Sequence, residues 1–255
     1  MHKLIKYEIK DNFKSFIGTF ITMIILNLVL YFKLGDWRNE SVFILTTLVN
    51  AATFTVVLLF SIGSFSKELY KNRGYLTFTL PIKGSEILVS KLLTTVFWFI
   101  IGSIIAFIFQ YSVLKSIVET EILMHIGKYF NFITIISMIV IGIYSIASLF
   151  IIIYFSITIS KMTFKDKKVG KVLGFVVFLV INFIVNIINK LLMRVFPQTF
   201  NLNIDVLDKV SIWTNENTAI TTLADFNIAT TLFGILAFVS FFILTGYFLN
   251  NKIEL

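Results

Sequence analysis

The chain is predicted to be an all-α polytopic membrane protein with six transmembrane helices. Three observations carry this reading. Apolar residues make up 57% of the 255 residues, while charged residues make up only 14%. The mean hydropathy is +0.91. The apolar residues also gather into six runs long enough to cross a hydrocarbon layer, which a soluble domain has no reason to contain. No linker or compositional break divides the chain, so residues 1–255 are read as a single transmembrane domain.

Residues 1–15 place Lys6, Lys10 and Lys14 on one helical track and Ile5, Ile9 and Phe13 on the next. Such a stretch reads either as an amphipathic elbow helix lying in the interface or as a basic flank that orients the helix after it. The first span follows at 16–32. Its end, Val29-Leu30-Tyr31-Phe32, lacks the small residues a signal peptidase needs, so it is expected to stay in the membrane. The second span, 42–65, contains no ionisable side chain. A polar insertion then breaks the pattern. Lys67, Glu68, Lys71 and Arg73 surround Leu69 and Tyr70 as on a short amphipathic helix, and Gly74 suits the turn that ends one. Pro81 cannot continue a helix, and Ser85 with Glu86 offers an N-cap and a first-turn carboxylate for the third span, 87–114. The fourth run, 130–160, exceeds a bilayer and is expected to tilt or to begin at the interface. A strongly basic connection leads to the fifth span, 172–193. The connection 194–227 carries Phe196-Pro197, an amphipathic-looking Val206-Leu207-Asp208-Lys209-Val210 and Trp213, and is too short for an enzyme domain. The sixth span is 228–249.

Orientation follows from the basic residues. One side collects Lys3, Lys6, Lys10, Lys14, Lys67, Lys71, Arg73, Lys83, Lys91, Lys161, Lys165, Lys167, Lys168, Lys171 and Lys252, fifteen of the 22 Lys and Arg. The positive-inside rule makes that side cytoplasmic, with both termini on it. The net charge of +8 is accounted for by loops facing an anionic leaflet rather than by nucleic acid, and no nucleic-acid partner is expected.

The same residues bound the chemistry. There is no cysteine, and only His2 and His125 stand as histidines, so neither a metal site nor a catalytic residue is expected. No G-x-x-x-x-G-K-[ST] loop exists; Gly170-Lys171 is followed by Val172 and has Lys165 where the first glycine belongs. No Asp, Glu or His falls inside the six runs, which disfavours ion-coupled transport and intramembrane proteolysis. What the runs carry is uncharged polarity. Thr46, Asn50, Thr53, Val57, Ser61 and Ser64 follow one track of the second span, and Asn182, Asn186 and Asn189 one face of the fifth. Interhelical hydrogen bonding, at about 0.6 to 2 kcal/mol per contact, would explain either stripe by itself. Two unrelated stripes are satisfied more simply by one shared hydrated cavity, so Thr46, Asn50, Thr53, Asn182, Asn186 and Asn189 are expected to face one another along a substrate route. Gly142, Ser145 and Ser148 in the fourth run are expected to form a small-residue packing face.

Glu68, Gly74-Tyr75-Leu76, Leu80-Pro81-Ile82, Ser85 and Lys91 resemble the segment between the second and third membrane helices of ABC-2 type permeases, the membrane subunits of a class of ATP-driven exporters. The resemblance implies a cytoplasmic coupling helix between helices 2 and 3. Lys67, Glu68, Tyr70, Arg73, Gly74, Tyr75, Leu80 and Pro81 would then contact a separate ATP-binding subunit present in two copies. It further implies a second permease subunit, identical or paralogous, with ATP and magnesium held by the partner and none by this chain. The connection 194–227 resembles the outer re-entrant element of such exporters, and the second and fifth helices line the central pathway of that family. The function implied is export of an amphipathic substrate, such as a peptide or antimicrobial, across the plasma membrane by alternating access. A non-transporting membrane immunity or sensor subunit is the rival reading.

Overall fold

The computed structural model describes residues 2–70, 83–118, 132–163, 167–201 and 225–251. Among these residues, six helices are long and apolar enough to cross a membrane. They are α1 (His2–Tyr31), α2 (Asn39–Tyr70), α3 (Gly84–Leu114), α4 (Phe132–Thr163), α5 (Lys167–Val195) and α6 (Ile228–Asn251). Helices meet the demand of a hydrocarbon solvent, since their interior backbone amides find partners within the same helix. Two three-residue strands, β1 (Thr199–Asn201) and β2 (Asp225–Asn227), pair antiparallel across the α5–α6 connection. Residues 202–224, including the amphipathic-looking stretch and Trp213, lie outside the described residues.

The helices run past the apolar runs at most of their ends. α1 is continuous from His2 to Tyr31, so the first fifteen residues are not a separate elbow but the lower turns of the first span. α2 likewise absorbs Lys67–Tyr70 as its last turn. The reason is local: residues 1–30 contain no proline and only Gly18 as a glycine, so nothing interrupts the hydrogen-bond ladder where the sequence turns polar. Where breakers do stand, the helices stop. Gly35, at φ +91°, turns the chain between α1 and α2, and Pro197 follows the end of α5.

α1, α2 and α3 pack mutually, α3 also meets α6, and α4 leans on both α5 and α6. The core lies where α1 to α4 meet. Phe16 stacks on Trp98 at 4.8 Å between ring centroids, Phe20 and Phe97 flank the same indole, and Phe65 stacks on Tyr154 at 4.2 Å. α5 is peripheral. It and α6 leave between them an apolar groove of about 550 Å³ lined by Ile184, Val185, Phe233, Leu236 and Phe241 among others. The expected packing face on α4 is corrected: Gly142 has no heavy atom within 4 Å of an added Cβ, Gly142 and Ser145 are exposed, and Ser145 bonds only its own helix.

α3 begins at a tight joint with α6. An added Cβ on Gly84 would lie 2.6 Å from the Leu249 Cβ and 3.0 Å from the Gly246 carbonyl oxygen. The Gly84 amide donates to the Asn250 side-chain oxygen, so the cap expected from Ser85 is supplied instead by another helix. Gly84→Ala should therefore destabilise the folded protein by about 1–3 kcal/mol through overpacking. Gly63→Ala, where the added methyl meets nothing within 4 Å, should be neutral or stabilising. Thermal unfolding in detergent checks the pair, and equal melting temperatures for the two variants would contradict the joint.

Candidate functional site

A lysine inside an apolar helix is the starting point. Lys91 lies two turns into α3 and is 4% exposed, and a bare ammonium there would face a prohibitive loss of hydration. Its three protons are all accepted. Nζ is 2.6 Å from Glu8 Oε2 on α1, 2.9 Å from Glu68 Oε1 on α2, and 2.9 Å from Ser64 Oγ, one turn before Glu68. Ser64 Oγ also accepts from Asn12 Nδ2 at 3.0 Å, and Asn12 stands one turn above Glu8. The side chains of Glu8 and Glu68 are only 14% and 16% exposed. Helical spacing makes this possible: Ser64 and Glu68 are an i, i+4 pair that both reach Lys91, and Glu8 and Asn12 are another, whose members reach Lys91 and Ser64 respectively.

The cluster continues inward. Thr95, one turn beyond Lys91, shares a hydrogen bond with the fully buried Tyr154 hydroxyl of α4 at 3.1 Å. A cavity of about 10 Å³, the size of a single water site, lies beside Asn12, Ser61, Ser64, Thr94 and Thr95. Beyond it the interior becomes aromatic at Phe16, Phe20 and Trp98. Polarity resumes towards the far end, where Asn50 Oδ1 accepts from Asn27 Nδ2 at 3.0 Å and Asn50 Nδ2 donates to Gln110 Oε1 at 3.3 Å. Gln110 in turn donates to Thr47 Oγ1 at 3.0 Å.

The structure distributes the sequence-predicted residues as follows. Lys67 is exposed, whereas Glu68 turns inward to Lys91. Tyr70 is half-buried beneath Lys161, whose Nζ is 5.0 Å from the ring centroid, and lies so close to Gly170 of α5 that a Cβ there would collide with it. Arg73, Gly74, Tyr75, Leu80 and Pro81 lie outside the described residues. Thr46 and Thr53 are buried and donate to the carbonyls of Val42 and Val49 in their own helix. Asn50 is engaged by α1 and α3. On α5, Asn182 and Asn186 donate to the carbonyls of Phe178 and Asn182, and Asn189 is half-buried.

The expectation that the two stripes face each other is corrected for the single chain. α2 directs its stripe at α1 and α3, while α5 packs on α4 and α6 and makes no extended contact with α2 among the described residues. Packing against α1 and α3 accounts for the α2 stripe: Asn50 and Ser64 bond across to those helices, while Thr46, Thr53 and Ser61 donate to carbonyls of α2 itself.

Sequence reasoning missed Glu8, Asn12 and Lys91 as a unit. A signal was present: a lysine inside an apolar run requires an anion at matching depth, and Glu8 and Glu68 are the acids nearest the corresponding helix ends. The apolar runs hold no acid, but the helices that contain them extend further and bring Glu8 and Glu68 to Lys91.

Removing Lys91 leaves both carboxylates buried without their cation. Lys91→Met should cost about 3–5 kcal/mol. Replacing Glu8, Glu68 and Lys91 together with leucine should restore most of that stability, since no charge is then left without a partner. Thermal unfolding of the single and triple variants checks this; a triple variant as unstable as Lys91→Met would refute the ion-pair account. Comparison of the chain with protein-family models, with curated proteins and with solved structures found no match.

Proposed function

We propose that the chain is the permease subunit of an ATP-driven ABC-2 type exporter, moving an amphipathic substrate such as a peptide or antimicrobial out of the cell by alternating access. The observation that supports this reading best is the place of the Glu8–Lys91–Glu68 cluster. The residues between α2 and α3 carry the likeness to a coupling segment, and the two helix ends that flank them are joined to each other and to α1 by buried charge. A force applied to that connection would therefore move α1, α2 and α3 together, as transmission from an ATP-driven partner requires. In this reading Lys67 and the residues after Tyr70 meet the partner, while Glu68 acts from inside by holding the segment's root. ATP and magnesium belong to two copies of the ATP-binding subunit, and a second permease subunit completes the assembly.

The α2 stripe is taken up in packing and is followed by the Trp98 aromatic belt. The route would accordingly run between subunits, with Asn182, Asn186 and Asn189 contributing from α5. That same packing also suits the rival reading, a membrane immunity or sensor subunit that transports nothing.

Two measurements decide. Tagged chain extracted from its native membranes should co-purify with a protein bearing a G-x-x-x-x-G-K-[ST] loop, and the complex should hydrolyse ATP; recovery of the chain without such a protein favours the rival. Separately, the chain has no cysteine, so Lys67→Cys and Lys115→Cys, both at exposed positions at opposite ends of the bundle, report its orientation. With cytoplasmic termini at the plasma membrane, an impermeant maleimide should label intact cells at residue 115 and not at residue 67. Labelling at residue 67 would remove the proposed contact from the compartment that holds ATP.

A further inference from the structure

We propose that the lower turns of α1 form a binding site for anionic phospholipid headgroups, built from Lys6, Lys10 and Lys14. All three are exposed and repeat at i, i+4 and i+8, so they form one track about 12 Å long. At 100° per residue that track lies roughly opposite Glu8 and Asn12, the side that α1 commits to the buried cluster. Tyr7, 68% exposed, and Phe13, 47% exposed, flank the track on either side. Aromatic rings beside ammonium groups are the composition of a helix segment that sits among headgroups.

Continuity of α1 fixes the height of this track. Residues 16–31 form an apolar stretch about 24 Å long that must lie in hydrocarbon, and the same rigid helix carries the lysines immediately outside it. A separate interfacial helix could shift its lysines relative to the bilayer; a continuous one sets Lys14 and Lys10 within about 9 Å of the apolar stretch, close to the headgroup layer, with Lys6 one turn further out.

The buried cluster sharpens the charge of this surface. Glu8 and Glu68 are turned inward to Lys91, so neither carboxylate stands on the lysine track, and the one ammonium offsets one of their two charges. The exposed charges left on the described residues around this end are Lys6, Lys10, Lys14, Lys67 and Lys83, set against Asp11 on the flank of the track. A surface so biased favours a headgroup with net negative charge over a zwitterionic one, whose own cation offsets its phosphodiester.

The experiment uses the full-length protein in detergent, mixed with equal amounts of phosphatidylglycerol and phosphatidylcholine and examined by native mass spectrometry. Wild type should retain phosphatidylglycerol in preference. The triple variant Lys6→Gln, Lys10→Gln, Lys14→Gln should lose that preference by roughly tenfold or more, on about 1 kcal/mol per lysine. The corresponding triple arginine variant should keep it, and Lys33→Gln with Lys115→Gln, at the opposite end, should leave it unchanged. Retention of phosphatidylglycerol by the glutamine variant at the wild-type level overturns the proposal. So does its displacement by inorganic phosphate at matched ionic strength, which would mark a site for soluble phosphate instead.

Discussion

Three acceptors around one ammonium hold this fold in register. Lys91 carries three donors into an apolar interior, and Glu8, Glu68 and Ser64 take one each. Since an unpaired ion there would be costly, α1, α2 and α3 can be brought together only at the height where those groups coincide. Hydrophobic burial would tolerate a helix sliding by a turn; three directed contacts do not. The stacking of Phe16 on Trp98 and of Phe65 on Tyr154 then fills the space that this register defines.

The interior of the three helices is consequently layered. Charge and hydroxyl groups occupy one end, an aromatic layer at Phe16, Phe20 and Trp98 follows, and the amides of Asn27, Asn50 and Gln110 close the other. Each polar layer pairs most of its members, with Asn27 Oδ1 and Glu68 Oε2 left buried without a hydrogen-bond partner among the described residues, and that pairing keeps amides and ions tolerable at depth. Along α2 the polar residues read as one stripe, yet they serve separate layers with separate partners. A continuous track in a sequence thus need not be a continuous path in space.

Much of this was legible beforehand, and the limits have physical reasons. The six spans were readable because hydrocarbon selects length and composition directly, residue by residue. Helix ends were less so: a helix stops at a breaker and not where polarity begins, hence Glu8 and Glu68 belong to helices that the apolar runs alone excluded. The buried side of α2 was evident from its serines, threonines and Asn50. Its partners were not, because Asn27 and Gln110 lie 23 and 60 residues from Asn50, and no local rule links them. Capping of α3 by Asn250, 166 residues away, was hidden for the same reason.

That last contact bears on how the protein is made. α3 emerges from the ribosome well before α6, and until Asn250 arrives its first amide has only water or lipid headgroups for company. The flat surface of Gly84, which later admits Leu249 and Gly246, is likewise bare in the partly synthesised chain. The start of α3 is therefore sealed only when α6 reaches back to it. Chains stalled or cut short before that point carry an unsealed start to α3.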